Sequence, residues 1–201
     1  MVAAKLGFCH VDSGSLYRAA TAAALRRSAD ADGWTEEDVR RAVGEITLQA
    51  AAGTVVPLLA GAELGEELRG TDVTRHVSRV AQMPRIREWV NELVRSSAER
   101  HSVVVDGRDI GTVVFPNADL KIFLVADPWE RARRRLLQRS GNTPSDEEIA
   151  AETERLVLRD ARDATQTVQA RDAVLIDTTH LTQETQVERI VALASVLRAR
   201  K

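Results

Sequence analysis

The feature that most constrains the fold is the alternation of short apolar runs with long helical patterns. Four apolar runs predict strands, at residues 8–11, 103–106, 120–125 and 173–176. Helical patterns lie between or after them and begin at Leu16, Pro84, Asp127 and Thr182. Strands that alternate with helices favour an α/β protein with a doubly wound parallel sheet. The nearly continuous apolar character of the runs predicts burial on both faces of that sheet.

One segment, residues 30–85, interrupts the alternation. Two strand-like pieces, "ITLQAA" and "TVVPLLAG", follow each other with Gly53 and Thr54 at the turn, which predicts an antiparallel hairpin. The sequence after the hairpin is polar and punctuated by glycine. We therefore predict a core of residues 1–29 and 86–201 that carries residues 30–85 as a small α+β insert.

Composition excludes several classes of function. The net charge of −2 gives no overall positive field for nucleic acid, and a single cysteine, Cys9, excludes an intrachain disulfide. The four histidines show no metal-ligand spacing, and Ser15 has no histidine in sequence reach, so we predict neither a metal site nor a serine triad. The absence of a membrane-length apolar run and of a signal-peptide pattern predicts a cytoplasmic protein without a membrane partner.

The first polar cluster follows the first predicted strand. In open α/β sheets ligands bind beyond the carboxyl ends of the strands. Ser13 is placed to cap the next helix, Gly14 permits close approach of a ligand to the backbone, and Arg18 lies one turn into that helix, where it would reach a bound anion. The alternative is an ordinary helix cap followed by a surface arginine.

A denser cluster, "DGRDIG", follows the second strand. Asp106 lies where an acid that orients Mg²⁺ beside transferring phosphates would lie. Arg108 offers a planar fork for a phosphate, and Asp109 can accept a hydrogen bond from an exocyclic amine, as acids do from cytosine N4. The alternative is a tight turn with an internal arginine–aspartate pair.

Two arginine-rich helical patterns follow, joined by the cap-rich stretch "SGNTPSDEE". Arg131, Arg135 and Arg139 share a helical face next to Arg134, which suits either a phosphate clamp or a solvated helix paired with Glu130. In the second pattern Arg159 and Asp163 have the spacing of a helical ion pair. Two such helices with a mobile link are typical of a closing lid, predicted at about residues 131–165.

Several stretches together resemble bacterial cytidylate kinase. They are "HVDSGSLYRAAT", "SRVAQMPRIRE", "VVVDGRDIGTVVFPNADLKIFL", "ERARRRLLQ", "RDARD" and "AVLIDTTHLT", which occur in the family's order along the whole chain. The resemblance implies transfer of the γ-phosphoryl group of ATP to CMP or dCMP, with Mg²⁺, in a monomer. It also implies a P-loop nucleoside monophosphate kinase fold with an NMP-binding insert and a helical lid.

The same resemblance assigns roles to individual residues. Matches to positions around the CMP phosphate are Ser13, Arg18 and Arg108, matches to the cytosine pocket are Ser78, Arg87 and Asp109, and matches to sugar and phosphate contacts are Arg159 and Asp163. The implied catalytic residues are Asp106 and the lid arginines Arg131 and Arg134.

Two departures from the family pattern are visible. Gln166 stands where the family has a third arginine, so one phosphate contact fewer is expected, and the segment after it is shortened. The family pattern also opens with a strand and a G-x-x-x-x-G-K-[ST] loop, and no such motif occurs in this sequence. The resemblance thus implies a chain without the first strand and P-loop. Two alternatives stay open, namely another P-loop nucleoside monophosphate kinase and a non-catalytic nucleotide-binding remnant.

We predict that the 201-residue chain alone phosphorylates CMP at least about 100-fold more slowly than the same chain preceded by a strand and P-loop, because the loop's lysine and backbone N–H groups neutralise the ATP phosphates. A coupled phosphotransfer assay measures this. Changing the loop lysine to methionine in the extended chain should strongly lower the rate of CMP phosphorylation. Comparable turnover with and without the loop would contradict the prediction.

Overall fold

The protein is described by a computed structural model, in which residues 1–199 are described. Within these residues the chain forms two compact units, one from Met1 to Gly107 and one that begins at Arg108. Each unit has its own strands and helices.

The first unit combines a mixed sheet with five α-helices. Its strands are β1 (Cys9–Asp12), β2 (Ile46–Ala51), β3 (Thr54–Leu59), β4 (Ala62–Glu63) and β5 (Val103–Asp106). Its helices are α1 (Val2–Leu6), α2 (Ser13–Arg27), α3 (Glu36–Val43), α4 (Thr71–Val80) and α5 (Pro84–Arg100). The helix predicted from Leu16 thus begins three residues earlier, and the one predicted from Pro84 begins where expected.

The sheet of this unit has the order β2-β3-β1-β5. β4 pairs antiparallel with the last two residues of β3, Leu58 and Leu59. β1 runs parallel to both β3 and β5. β2 and β3 form the predicted antiparallel hairpin, although the turn residues are Ala52 and Gly53, both at positive φ, and Thr54 already belongs to β3. Because β3 pairs with β1, the hairpin is part of the sheet that carries the predicted core strands.

The core of the first unit is built around α2, whose alanines bring neighbouring helices close. Ala19, Ala20 and Ala22 are fully buried, and they share a cluster with Val39 and Ile86, which are also fully buried. Small side chains on one helix leave room for the β-branched side chains of its neighbours at interior density. The helices that carry polar residues of the candidate site are thereby held against one another.

The second unit contains two parallel strands, β6 (Ile122–Val125) and β7 (Val174–Asp177), in register from Ile122 opposite Val174. Its helices are α6 (Pro128–Ser140), α7 (Asp146–Asp163) and α8 (Gln183–Arg198), and a short π-helix spans Ile110–Val114. The parallel pairs in both units confirm the α/β class. All four predicted strands are present, within two residues of their predicted ends.

The prediction that the strands are buried on both faces is wrong for β6 and β7. Leu124 is 52% exposed and Leu175 is 55% exposed. Leu124 lies opposite Ile176 and Leu175 lies opposite Phe123, so the exposure affects both faces. The physical reason is that, within residues 1–199, each of these strands has one hydrogen-bonded neighbour, and side chains near an open sheet edge stay in contact with water.

Helices α6 and α7 form a hairpin with well-defined ends. Gly141 ends α6 in the left-handed region, at φ 71°, and Ser145 and Glu148 form a capping box at the start of α7. Between the helices Ala132, Ile149 and Leu156 form a small apolar cluster. None of the helices within residues 1–199 is both long and apolar enough to span a bilayer.

We expect Ile86→Ala to lower the free energy of unfolding by about 2–5 kcal/mol, since Ile86 is fully buried on α5 and its removal leaves a cavity. Leu158→Ala is the control, because Leu158 lies on α7 with its side chain 60% exposed, and should change stability little. Urea denaturation followed by circular dichroism measures both. A loss at Leu158 equal to that at Ile86 would show that the core is not where the structure places it.

Candidate functional site

The carboxyl ends of β1 and β5 bring two acids side by side. The parallel register pairs Asp12 with Asp106, so both carboxylates project from the same end of the sheet. Asp12 caps α2 by accepting a hydrogen bond from the backbone N–H of Ser15 at 3.2 Å. The expected cap, Ser13, instead donates its hydroxyl to the backbone carbonyl of Asp106 at 2.9 Å, which ties the start of α2 to the end of β5. Ser13 as helix cap is therefore corrected to Asp12.

Asp106 is held by a third residue, His10. His10 Nε2 lies 2.6 Å from Asp106 Oδ1. Partial removal from solvent raises the pKa of the Asp106 carboxyl, the neighbouring Asp12 carboxylate raises it further, and the hydrogen bond with His10 opposes both effects. The two carboxylates nevertheless lie side by side at the end of the sheet, with His10 as a hydrogen-bond partner of Asp106.

Three more of the predicted substrate-binding residues lie on the helices of the first unit. Arg18 on α2 donates to the carbonyl of Leu68 at 3.0 Å and to Thr74 Oγ1 at 3.2 Å. Arg87 on α5 donates to the carbonyl of Ala81 at 3.0 Å, and Ser78 on α4 is half-buried. Arg18 and Arg87 are thus partly held by backbone carbonyls, which orients their guanidinium groups.

In the second unit Asp109 begins a tightly wound turn. Its backbone carbonyl accepts hydrogen bonds from the N–H groups of Thr112 and Val113, at 3.2 and 2.8 Å, as the π-helix starts. The residue is only 8% exposed, whereas the side chain of Arg108 beside it is 45% exposed. π-Helical turns occur frequently at functional sites. The loop therefore fixes a buried acid next to an accessible arginine.

Two arginines converge on one carboxylate in this unit. Asp163 Oδ2 lies 3.5 Å from Arg108 Nη2 and 3.6 Å from Arg159 Nε. Arg159 Nε is buried and has no hydrogen-bond partner. Both separations are long for a hydrogen bond, and the three side chains carry a net charge of about +1 at neutral pH. This cluster of Arg108, Arg159 and Asp163 can accept one more anionic oxygen.

Four arginines of α6, namely Arg131, Arg133, Arg134 and Arg135, are engaged in ion pairs. Arg131 binds both carboxylate oxygens of Asp160, at 2.6 and 3.1 Å, and Arg135 lies 3.0 Å from Glu152, which is buried. Arg134 binds Glu130 at 2.7 Å and donates to three backbone carbonyls after β7, those of Thr178, Thr179 and Leu181. The pairing with Glu130 is the alternative that the sequence left open, and Arg133 shares it.

Sequence reasoning missed three residues of these clusters, namely His10, Asp12 and Asp160. His10 was set aside because it lacked ligand spacing, yet strand alternation places His10 and Asp12 on the same face of β1. The sequence indicated these two residues only through that alternation and through the presence of another acid at the end of a second strand. Asp160 lies beside Arg159 in the second arginine-rich pattern, but its partner, Arg131, lies on α6, a contact that spacing within one helix cannot indicate.

Comparison with known proteins identifies the family. The cytidylate kinase family profile matches residues 1–196. A cytidylate kinase of Limosilactobacillus fermentum is 40% identical over 198 residues, which cover 94% of this chain and 85% of that protein. A cytidylate kinase of Desulfitobacterium hafniense is 42% identical over 201 residues, which cover 96% of this chain and 84% of that protein.

A third relative is a longer protein that is named for two activities. It is a bifunctional pantoate ligase/cytidylate kinase of a Synechococcus species, 39% identical over 201 residues that cover 96% of this chain and 36% of that protein. These matches show the P-loop nucleoside monophosphate kinase fold. The chain belongs to the cytidylate kinase family.

Glu130 provides a test of the ion pairs on α6. Hydrogen bonding by Arg133 is the largest cause that lowers the pKa of Glu130 from 4.5 to about 2, burial opposes it, and Arg134 adds to it. Because the folded-state pKa is depressed, the stabilising contribution is complete above 4.5 and is lost as the pH falls toward 2. NMR titration of the Glu130 carboxyl carbon should give a midpoint near 2.

Arg133→Met is the matched variant, since it removes the main partner and should move that midpoint back toward 4.5. A midpoint near 4.5 in the unmodified protein would show that these ion pairs do not persist in solution.

Proposed function

We propose that the protein transfers the γ-phosphoryl group of ATP to CMP or dCMP, giving CDP or dCDP, as a cytoplasmic monomer. Family membership supports the reaction, and the cluster of Arg108, Arg159 and Asp163 is the observation that carries it in the structure. Two arginines that share one carboxylate at 3.5 and 3.6 Å are electrostatically undercompensated. A phosphate oxygen supplies the missing charge and satisfies the planar guanidinium donors.

We assign the remaining substrate-binding residues to the acceptor nucleotide, on the basis of the groups that they offer to a phosphate and a sugar. The family resemblance assigns Ser13, Arg18 and Arg108 to the CMP phosphate, and the two guanidinium groups have the charge and donors that a phosphate requires. Arg159 and Asp163 add contacts to sugar hydroxyls and phosphates. Asp163 is mostly buried, with a side chain 17% exposed, and therefore sits at a fixed place beside both arginines.

Selection of cytosine is assigned to Ser78, Arg87 and Asp109. A carboxylate accepts a hydrogen bond from the N4 amine of cytosine, whereas uracil presents a carbonyl oxygen at that position and repels it. Asp109 is buried, so its contact with a base is made away from bulk water, where a mismatched polar pair is costly. Burial thus makes discrimination against UMP stronger than an exposed acid would.

The catalytic roles fall to Asp106, Arg131 and Arg134. Phosphoryl transfer depends mainly on positioning and on stabilisation of the charge that spreads over the transferred group. Arg131 is held by Asp160, and Arg134 by Glu130 and backbone carbonyls. Each reaches a phosphate by exchanging these partners, which are themselves weaker acceptors than a phosphate with two negative charges.

Asp106 and Asp12 fit a magnesium ion of the kind that nucleotide enzymes bind. Within residues 1–199 no group of three or more His, Cys, Asp or Glu side chains is arranged to hold a metal ion. Mg²⁺ commonly uses only one or two carboxylates, keeps several waters and takes its other ligands from substrate phosphates. The two neighbouring carboxylates at the ends of β1 and β5 match that requirement. When bound, the ion neutralises charge on the phosphates, while Asp106 and Asp12 orient it or its waters.

Asp109→Asn tests the assignment of the substrate. The exchange replaces an acceptor oxygen by a donor where the cytosine amine binds, so the preference for CMP over UMP should fall by about 1–3 kcal/mol. Isothermal titration calorimetry with CMP, UMP and AMP measures it, and the unmodified protein should bind CMP most tightly. Asp72→Asn is the matched control, because Asp72 is exposed on α4 and lies 3.9 Å from Arg75. An unchanged CMP-to-UMP ratio in Asp109→Asn would refute the role of Asp109, and equal binding of AMP would refute the substrate.

A further inference from the structure

Lys121, immediately before β6, is a buried lysine with three short contacts. Its side chain is 7% exposed. Its ammonium donates to both carboxylate oxygens of Asp172, at 2.8 Å each, and to the backbone carbonyl of Pro116 at 2.5 Å. The Lys121 hydrogen bond also holds the pKa of the Asp172 carboxyl below its usual value. One side chain thus joins the loop after β5 to the segment before β7.

The choice of lysine at this position is informative. Of the 28 lysines and arginines in the chain, lysine stands only at positions 5, 121 and 201. A compact ammonium directs three donors tetrahedrally from one atom, whereas the planar fork of arginine suits one carboxylate or phosphate. The contacts of Lys121 need the first geometry, since a backbone carbonyl and a carboxylate share a single nitrogen.

The stem of Lys121 packs against Gly111. A Cβ atom built on Gly111 would lie 3.2 Å from Lys121 Cδ and 3.4 Å from Lys121 Cγ. The absence of a side chain at position 111 therefore lets the loop rest directly on the lysine stem. Lys121 supports the loop at two places, under Gly111 by packing and at Pro116 by a hydrogen bond.

Gly111 lies within the π-helix Ile110–Val114, which Asp109 precedes, and Pro116 follows its end. The backbone carbonyl of Asp109 is the first acceptor of this turn, so the loop that Lys121 supports also sets the direction of the Cα–Cβ bond of Asp109. We propose that Lys121 is a positioning residue that sets the Asp109 carboxylate for recognition of cytosine. The inference rests on the proposed function, because it uses the assignment of Asp109 to the base.

Lys121→Met keeps the apolar stem and removes the ammonium. The ratio of the UMP to the CMP dissociation constant should fall roughly tenfold, because a small displacement of a recognition group carries a large loss. Calorimetry gives the ratio and thermal unfolding gives the stability. Lys5→Met is the matched control, since Lys5 is exposed at the end of α1, and should leave the ratio unchanged. Equal weakening of CMP and UMP would mark a purely structural lysine and overturn the inference.

A double-mutant cycle with Asp109→Asn separates this inference from the proposed function. If Lys121 acts through Asp109, Lys121→Met should have no further effect on the ratio once Asp109 is changed. Additive effects would overturn the inference. A ratio that Asp109→Asn leaves unchanged would instead overturn the proposed role of Asp109, whatever Lys121 does.

Two further variants keep the test decisive if Lys121→Met folds poorly. Gly111→Ala adds a methyl group against the lysine stem while the ammonium is retained, and should also lower the ratio. Lys121→Cys in a Cys9→Ala background, with the new thiol aminoethylated, restores an ammonium at nearly the original length and should restore the ratio of the Cys9→Ala protein. Failure of the restored ammonium to recover the ratio in folded protein would overturn the inference.

Discussion

The parallel pairing of β1 with β5 is the constraint on which the candidate site of the first unit depends. It sets Asp12 opposite Asp106 and so concentrates two negative charges at one end of the sheet. The contacts around these acids hold that charge in place. Asp12 caps the N-terminus of α2, and Ser13 donates a hydrogen bond to the end of β5. His10 binds Asp106. The sheet register thereby fixes two acids side by side at the point where α2 and β5 meet.

In the second unit the arginine–carboxylate pairs differ in how fully the arginine charge is compensated. On α6, Arg131 and Arg134 have carboxylate partners at 2.6 and 2.7 Å. Asp163, by contrast, serves two arginines at longer range. Arg131 and Arg135 join α6 to α7 through Asp160 and Glu152, whereas Arg134 binds Glu130 on its own helix. The number of carboxylates within reach thus sets how fully the charge of each arginine is compensated.

The sequence allowed the fold to be predicted well where patterns are local. Apolar runs gave the strands to within two residues, and Pro84 marked the start of α5. The site was harder to predict, because its contacts join distant positions. Asp106 was identifiable from its place after a strand, but its bond to His10 spans 96 residues. Likewise Lys121 falls within the predicted strand at residues 120–125, and its partner Asp172 is 51 residues away.

The junction between α6 and α7 gives the hairpin a fixed shape. A left-handed glycine ends one helix, a capping box starts the next, and buried Glu152 lies between Arg135 and Arg155. These features resist bending at the tip and sliding between the two helices. At the open end of the hairpin α7 delivers Asp163, the carboxylate shared by Arg108 and Arg159. The direction of α7 therefore sets the distance from Asp163 to Arg108, so the packing of the hairpin and the spacing of the anion-binding arginines are one structural property.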